Sequence, residues 1–119
     1  MTESDMKRRT KDFSVRILKL IEDLPETRAG RIMANQLARA GTSVAANYRA
    51  VCRAKSSADM MAKVTTVEEE ADECAFWLEL LSEAGLMSAT QTLALLKEAG
   101  ELTAIMVASR RTLLGRNRK

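Results

Sequence analysis

Three acids on one stretch, Glu69, Glu70 and Glu73, are the residues with the chemistry to hold a hard cation through oxygen. On a helix, only Glu69 with Glu73, or Glu70 with Glu73, share a face. Two carboxylates make a poor cage, so no metal is expected. Cys52 and Cys74 are the only thiols, and they are not spaced as a CxxC pair. The chain has no histidine. That removes the usual general base, the commonest metal ligand and every histidine-based triad. No glycine-rich phosphate loop is present either. These absences lead to an expectation of no catalysis and no cofactor.

Charge offers more. Residues 25–56 carry a net +5 and residues 57–86 a net −7, while residues 87–119 carry +4. Arg49, Arg53, Arg110, Arg111, Arg116, Arg118 and Lys119 are the candidate contacts to nucleic-acid phosphates. The Glu98 and Glu101 carboxylates are the acids expected to neutralise the C-terminal group. A second set, Arg39, Ser43, Asn47, Glu69, Glu70 and Glu73, forms a candidate structural polar network. In the simplest reading of both clusters, the basic stretch and the acidic stretch neutralise each other. Surface pairs of this kind set register more than they add stability.

The elements that position these groups follow from composition and spacing. Ala, Leu, Glu, Lys, Arg and Met dominate, and all are strong helix formers. Pro25 is the only proline, and only Phe13, Tyr48, Phe76 and Trp77 are aromatic. Apolar residues recur at steps of three and four, predicting helices over 5–24, 27–54, 57–84 and 89–114. The seam of the second is Met33, Leu37, Ala40, Val44, Asn47, Val51 and Ala54. That of the third is Met60, Val64, Val67, Ala71, Cys74, Leu78 and Leu81.

Stop and start signals agree with these spans. Leu24-Pro25 ends the first helix. Ser56 with Asp59, and Ser88 with Gln91, have capping-box spacing. Gly85 suits a helix C′ position. Gly41, inside the second helix, marks either close approach of a neighbouring helix or a local kink. Residues 115–119 read as a frayed tail.

Short connections force neighbouring helices antiparallel. The expected fold is all-α, an up-down-up-down four-helix bundle in one domain over 1–119. Folding the second and third helices about Ser56 places Arg53 near Asp59, Ser43 near Glu69 and Glu70, and Arg39 near Glu73. It also separates the two cysteines by about fourteen residues, roughly 21 Å of helix. An intrachain disulfide is excluded at that distance, while an interchain bond stays open. Asn47, on an apolar seam, reads as a register-setting amide, with ligand contact the lesser alternative.

Off-seam apolar residues, Phe76, Trp77, Leu80, Ile105 and Val107, suggest a homo-oligomer. No apolar run approaches a membrane span, and the N-terminus lacks the pattern of a secretory signal. A cytoplasmic protein without membrane contact is expected.

A longer pattern carries a resemblance. Leu24-Pro25 is followed by Gln36-Leu37-x-Arg39-Ala40-x-x-Ser43-Val44-x-Ala46-Asn47 and then by Arg53-x-x-Ser56. An acidic helix with a late Leu-x-x-Leu completes it. In combination, over roughly residues 12–114, this resembles the four-helix-bundle family found as reading frames in intervening sequences of bacterial 23S rRNA genes. The family carries an S23 ribosomal protein label and is related to accessory proteins of diversity-generating retroelements. Where many members have Glu-Gly after the Asn, this chain has Arg49-Ala50. The resemblance implies a small homo-oligomeric bundle, often pentameric. It also implies binding of RNA or a partner protein, not catalysis. Two function classes therefore stand: a nucleic-acid-binding module with RNA favoured, and a protein–protein assembly or adaptor module.

Overall fold

Helix α1 spans Glu3–Ile21, α2 Arg28–Val51, α3 Ser57–Glu83 and α4 Ala89–Asn117. They are the only regular elements in the computed structural model, which describes residues 1–117. Each start is capped. The Thr2 hydroxyl accepts from the Asp5 N–H while the Asp5 carboxylate accepts from the Thr2 N–H, a full capping box. The Thr27 hydroxyl accepts from the Gly30 N–H. Ser88 and Gln91 cap α4 reciprocally, as their spacing predicts. At α3 the Ser56 hydroxyl accepts from the Asp59 N–H, but the Asp59 carboxylate reaches one residue further back, to the Lys55 N–H.

The α3 stop is a Schellman motif. Gly85 takes φ +72°, its N–H donates to the Ser82 carbonyl, and the Leu86 N–H donates to that of Leu81. By contrast, Gly115 does not end α4, which runs on to Asn117. The buried Leu113 holds those last turns against the bundle. The tail expected to fray is therefore helical over 115–117, and 118–119 lie outside the described residues. Helix α1 ends three residues before Leu24, and α2 ends at Val51 in place of Ala54.

Successive helices pack side by side: α1 on α2, α2 on α3 and α3 on α4. A thinner α1–α4 contact closes the ring, and neither diagonal pair touches. The fold is thus an up-down-up-down four-helix bundle, 52 Å long and about 20 Å across. One core cluster runs its length, with Phe13, Ile17, Leu37, Val44, Val67, Cys74, Leu78 and Leu102 fully buried. The predicted α3 seam is buried from Val64 to Leu81.

The α2 seam differs at one step. Tyr48 points into the core, and Asn47 sits half-buried with its Nδ2 donating to the Ser43 carbonyl of its own helix at 2.8 Å. Asn47 therefore bonds nothing on α3, and the register-setting reading of this amide does not hold.

The topology sets the ends of the bundle. The start of α1, the end of α2, the start of α3 and the end of α4 share one end, called here the basic end. The ends of α1 and α3 and the starts of α2 and α4 share the other. Both thiols are free, Cys74 in the core and Cys52 half-buried near the basic end.

Candidate nucleic-acid interface

Two sides of the bundle matter, and they differ in how their charges are used. Along α2–α3, Arg39 is bound on both sides. Its Nη1 donates to Glu70 at 3.3 Å and its Nη2 donates to Glu73. Glu73 in turn accepts from the Trp77 Nε1–H at 3.0 Å. This is the predicted neutralisation of basic by acidic helix, with Trp77 added. Ser43 and Glu69 stay outside it, as neither side chain bonds across the interface among the described residues. The Arg53–Asp59 meeting does not form. Asp59 is already held by the Lys55 N–H and by Lys63 Nζ at 2.5 Å, so Arg53 is left exposed. Those two donors hold the Asp59 carboxyl below its ordinary value, with Lys63 the larger influence.

Arg110 is also spoken for. Its Nε donates to Glu68 on α3 at 2.9 Å, which raises the guanidinium pKa above its ordinary value. The acids expected to serve it, Glu98 and Glu101, face Arg9 of α1 instead. Arg9 grips Glu98 through two hydrogen bonds of 2.7 Å, with Glu101 3.8 Å away. This fork is the polar clasp of the thin α1–α4 seam. Arg111 and Arg116 are exposed without ion pairs among the described residues. Arg118 and Lys119 lie outside them.

Arg49 lies elsewhere. It opens onto a groove of about 490 Å³ between α1 and α2, near the basic end. Lys7 and Lys11 of α1 and Ala45 and Ala46 of α2 complete its lining. Among the described residues, the one acid in an ion pair with these cations is exposed Glu3, 3.8 Å from Lys7. Because α2 and α4 are diagonal, Arg49 and Arg53 share an end with Arg110 and Arg111 but not a face. Composition hid Lys7 and Lys11, since the first 24 residues are nearly neutral in sum. Their four-residue spacing on one helical face was the available signal.

No group of three or more carboxylate or thiol ligands converges among the described residues. Burial pushes the Cys74 thiol up to about 12, so no thiolate nucleophile is available there near neutrality. The Cys52 thiol is also raised, first by burial and then by the Glu3 carboxylate. No helix of the described chain is long and apolar enough to cross a membrane.

A family model described as 23S rRNA-intervening sequence protein matches residues 2–108. The chain belongs to this family. A solved relative is similar throughout: an S23 ribosomal protein family member of unknown function from Bacteroides thetaiotaomicron VPI-5482. It is 30% identical, covers 88% of this chain and 97% of its own, and superposes with a TM-score of 0.82. No curated relative matches the chain. Family membership thus agrees with the four-helix fold.

Proposed function

We propose that this protein is a non-catalytic, homo-oligomeric, cytoplasmic bundle that binds nucleic acid, RNA in preference to DNA. The observation that carries the reading is the α1–α2 groove, which Lys7, Lys11 and Arg49 line, with a single long Lys7–Glu3 ion pair to these cations among the described residues. Arg53 extends this surface toward the end of the bundle. Such a surface neutralises phosphates and releases counterions, giving sequence-independent affinity that falls with salt. No aromatic lines the groove, and Phe13 and Tyr48, near its lining residues in sequence, are buried, so base stacking contributes little and the phosphate backbone is what is held. RNA is favoured by the family's description as a 23S rRNA-intervening sequence protein. Assembly, with five copies favoured by the family resemblance, repeats the groove and multiplies a weak contact.

The deciding experiment is titration of RNA and DNA of one sequence at low and moderate salt, with Lys11→Glu/Arg49→Glu beside wild type. Binding at low salt that weakens in the double variant supports the reading. No binding by wild type at low salt sinks it.

A second reading has its own support. Arg39 and Arg110 are consumed by internal acids, while Ile32 and Phe76 are 61% and 53% exposed. Those features favour an adaptor that docks another protein and has no nucleic-acid role.

A further inference from the structure

The register of α1 on α2 fixes the heights of the three cations that line the groove. Ser14 Oγ donates to the Gly41 carbonyl at 2.6 Å, and Ile17 packs on the same glycine. Gly41 is therefore level with residues 14–17 of α1. The two helices are antiparallel, so each step toward the basic end raises the number on α2 and lowers it on α1. Four steps place Ala45 level with residues 10–13, which include Lys11. Eight steps place Arg49 level with residues 6–9, which include Lys7. The groove thus has two cations at one height, Lys7 and Arg49. The third, Lys11, stands roughly 6 Å further along the axis. Lys11 and Arg49 are in no ion pair among the described residues.

The open space depends on Ala45 and Ala46. Both line it, and alanine is the smallest side chain a helix takes without the penalty of glycine. The volume of about 490 Å³ falls within the roughly 300–1,000 Å³ of small-ligand sites. A duplex does not fit such a space. It is stiff over about 150 base pairs and carries its phosphates on a convex surface, and the bundle around the groove is convex as well. A single strand can bend into the groove and turn its bases away. The rise from Lys7 to Lys11 is comparable with the separation of neighbouring phosphates on an extended strand.

We propose that the groove takes a single strand, backbone inward and bases outward, and seats two successive phosphates. One phosphate lies between Lys7 and Arg49, and the next lies at Lys11. Arg49 can offer a phosphate two parallel N–H donors, while each lysine acts as a point charge. Ala45 and Ala46 carry no charge. Their part is to leave the room that separates a strand from a duplex. The inference rests on the nucleic-acid reading above. It adds the strandedness of the ligand, the portion of it that is held, and a specificity role for the two alanines.

The test uses the full chain at low salt and fluorescence anisotropy. The probes are a short labelled oligouridylate, which does not pair with itself, and an RNA duplex with the same number of phosphates. Charge alone favours the duplex, whose counterion atmosphere is denser. Wild type should instead bind the single strand more tightly, on the order of tenfold. Ala46→Leu adds bulk to the groove and leaves every charge in place. It should weaken single-strand binding on the order of tenfold, through the loss of a charge-assisted contact, and change duplex binding little. Ala46→Ser keeps the room and should bind as wild type does. Ala46 is exposed and leucine is a good helix former, and circular dichroism checks that both variants are folded. An abasic strand, with tetrahydrofuran in place of each nucleoside, should compete with oligothymidylate to within a few-fold.

Wild type that binds neither probe overturns this inference together with the nucleic-acid reading. Wild type that binds the duplex as tightly as the single strand overturns the inference alone. So does a folded Ala46→Leu chain with wild-type affinity for the single strand, an Ala46→Ser chain as weak as Ala46→Leu, or an abasic strand that does not compete.

Discussion

Ser14 on α1 donates its Oγ–H to the Gly41 carbonyl on α2 at 2.6 Å, and a β-carbon at Gly41 would lie 2.6 Å from Ile17 Cγ2. The Ser14 and Ile17 side chains of α1 rest directly on the Gly41 backbone, where α2 presents no side chain, which settles Gly41 as a close approach and not a kink. Gly41→Ala should therefore destabilise despite the better helix propensity of alanine. Overpacking costs about 1–3 kcal/mol, and the propensity gain offsets roughly 1 kcal/mol. Gly100, also inside a helix, has nothing within 4 Å of the same atom, so Gly100→Ala should stabilise by about 0.5–1 kcal/mol. Urea unfolding of the two variants should shift in opposite directions. Equal stabilisation by both would contradict the close approach.

Much of this fold is legible in the sequence. Ser88 with Gln91 and Gly85 act as their types and spacing indicate, because caps and left-handed stops are local and need no neighbours. The Asn47–Tyr48 exchange was not legible. A strict seven-residue repeat drifts by about 20° per heptad around a straight helix. About four turns after Met33, that drift hands the core position to the next residue. The Arg110–Glu68 pair was hidden for another reason. It joins residues far apart in sequence, and its existence depends on how α3 and α4 are rotated, which periodicity fixes only coarsely.

Asn47 now has a sharper expectation. Its amide is half-buried and bonded within α2, so Asn47→Leu removes no contact to another helix. Leucine is also the better helix former, by a few tenths of a kcal/mol. Thermal melting should stay level or rise slightly, and the oligomer mass should not change. A loss of more than about 1 kcal/mol would show that the amide has a partner beyond its own helix.

Alkaline pH tests the core. Burial raises the Cys74 thiol from 9.0 to about 12 and, as the largest of its causes, the Tyr48 hydroxyl from 10.0 to about 12. In the unfolded chain both groups ionise at their ordinary values, so between those values and 12 the unfolded state has released protons that the folded state keeps. Stability is thus fully present below about pH 9 and falls as pH rises toward 12. The loss should be on the order of a few kcal/mol. Tyr48→Phe should flatten the part of the curve above pH 10. Cys74→Ala should flatten the part from pH 9 while lowering stability at neutrality through the cavity it leaves. Denaturation midpoints measured from pH 7 to 11 check both. Parallel curves for all three chains would mean that neither group titrates differently on unfolding.

Glu68 offers a way to weigh the two basic surfaces against each other. It holds Arg110 at 2.9 Å from α3, half-buried on its own side. Glu68→Gln removes one negative charge and the ion pair, leaving the Arg110 guanidinium available to phosphate. Each added phosphate contact steepens the salt dependence of binding by roughly one unit of log affinity per log salt for a duplex, and less for a single strand. If the C-terminal arginines share in binding, Glu68→Gln should tighten RNA affinity at low salt and steepen that slope. If the α1–α2 groove alone binds, Glu68→Gln should leave the slope unchanged, while Lys11→Glu/Arg49→Glu lowers it by up to two contacts per chain. Filter-binding titrations of one RNA at several salt concentrations separate the cases, because the groove and Arg110 lie on different faces of the bundle. The structure favours the second outcome. Lys7, Lys11 and Arg49 are free of internal ion pairs except for the long, exposed Lys7–Glu3 contact, whereas Arg110 must first give up Glu68.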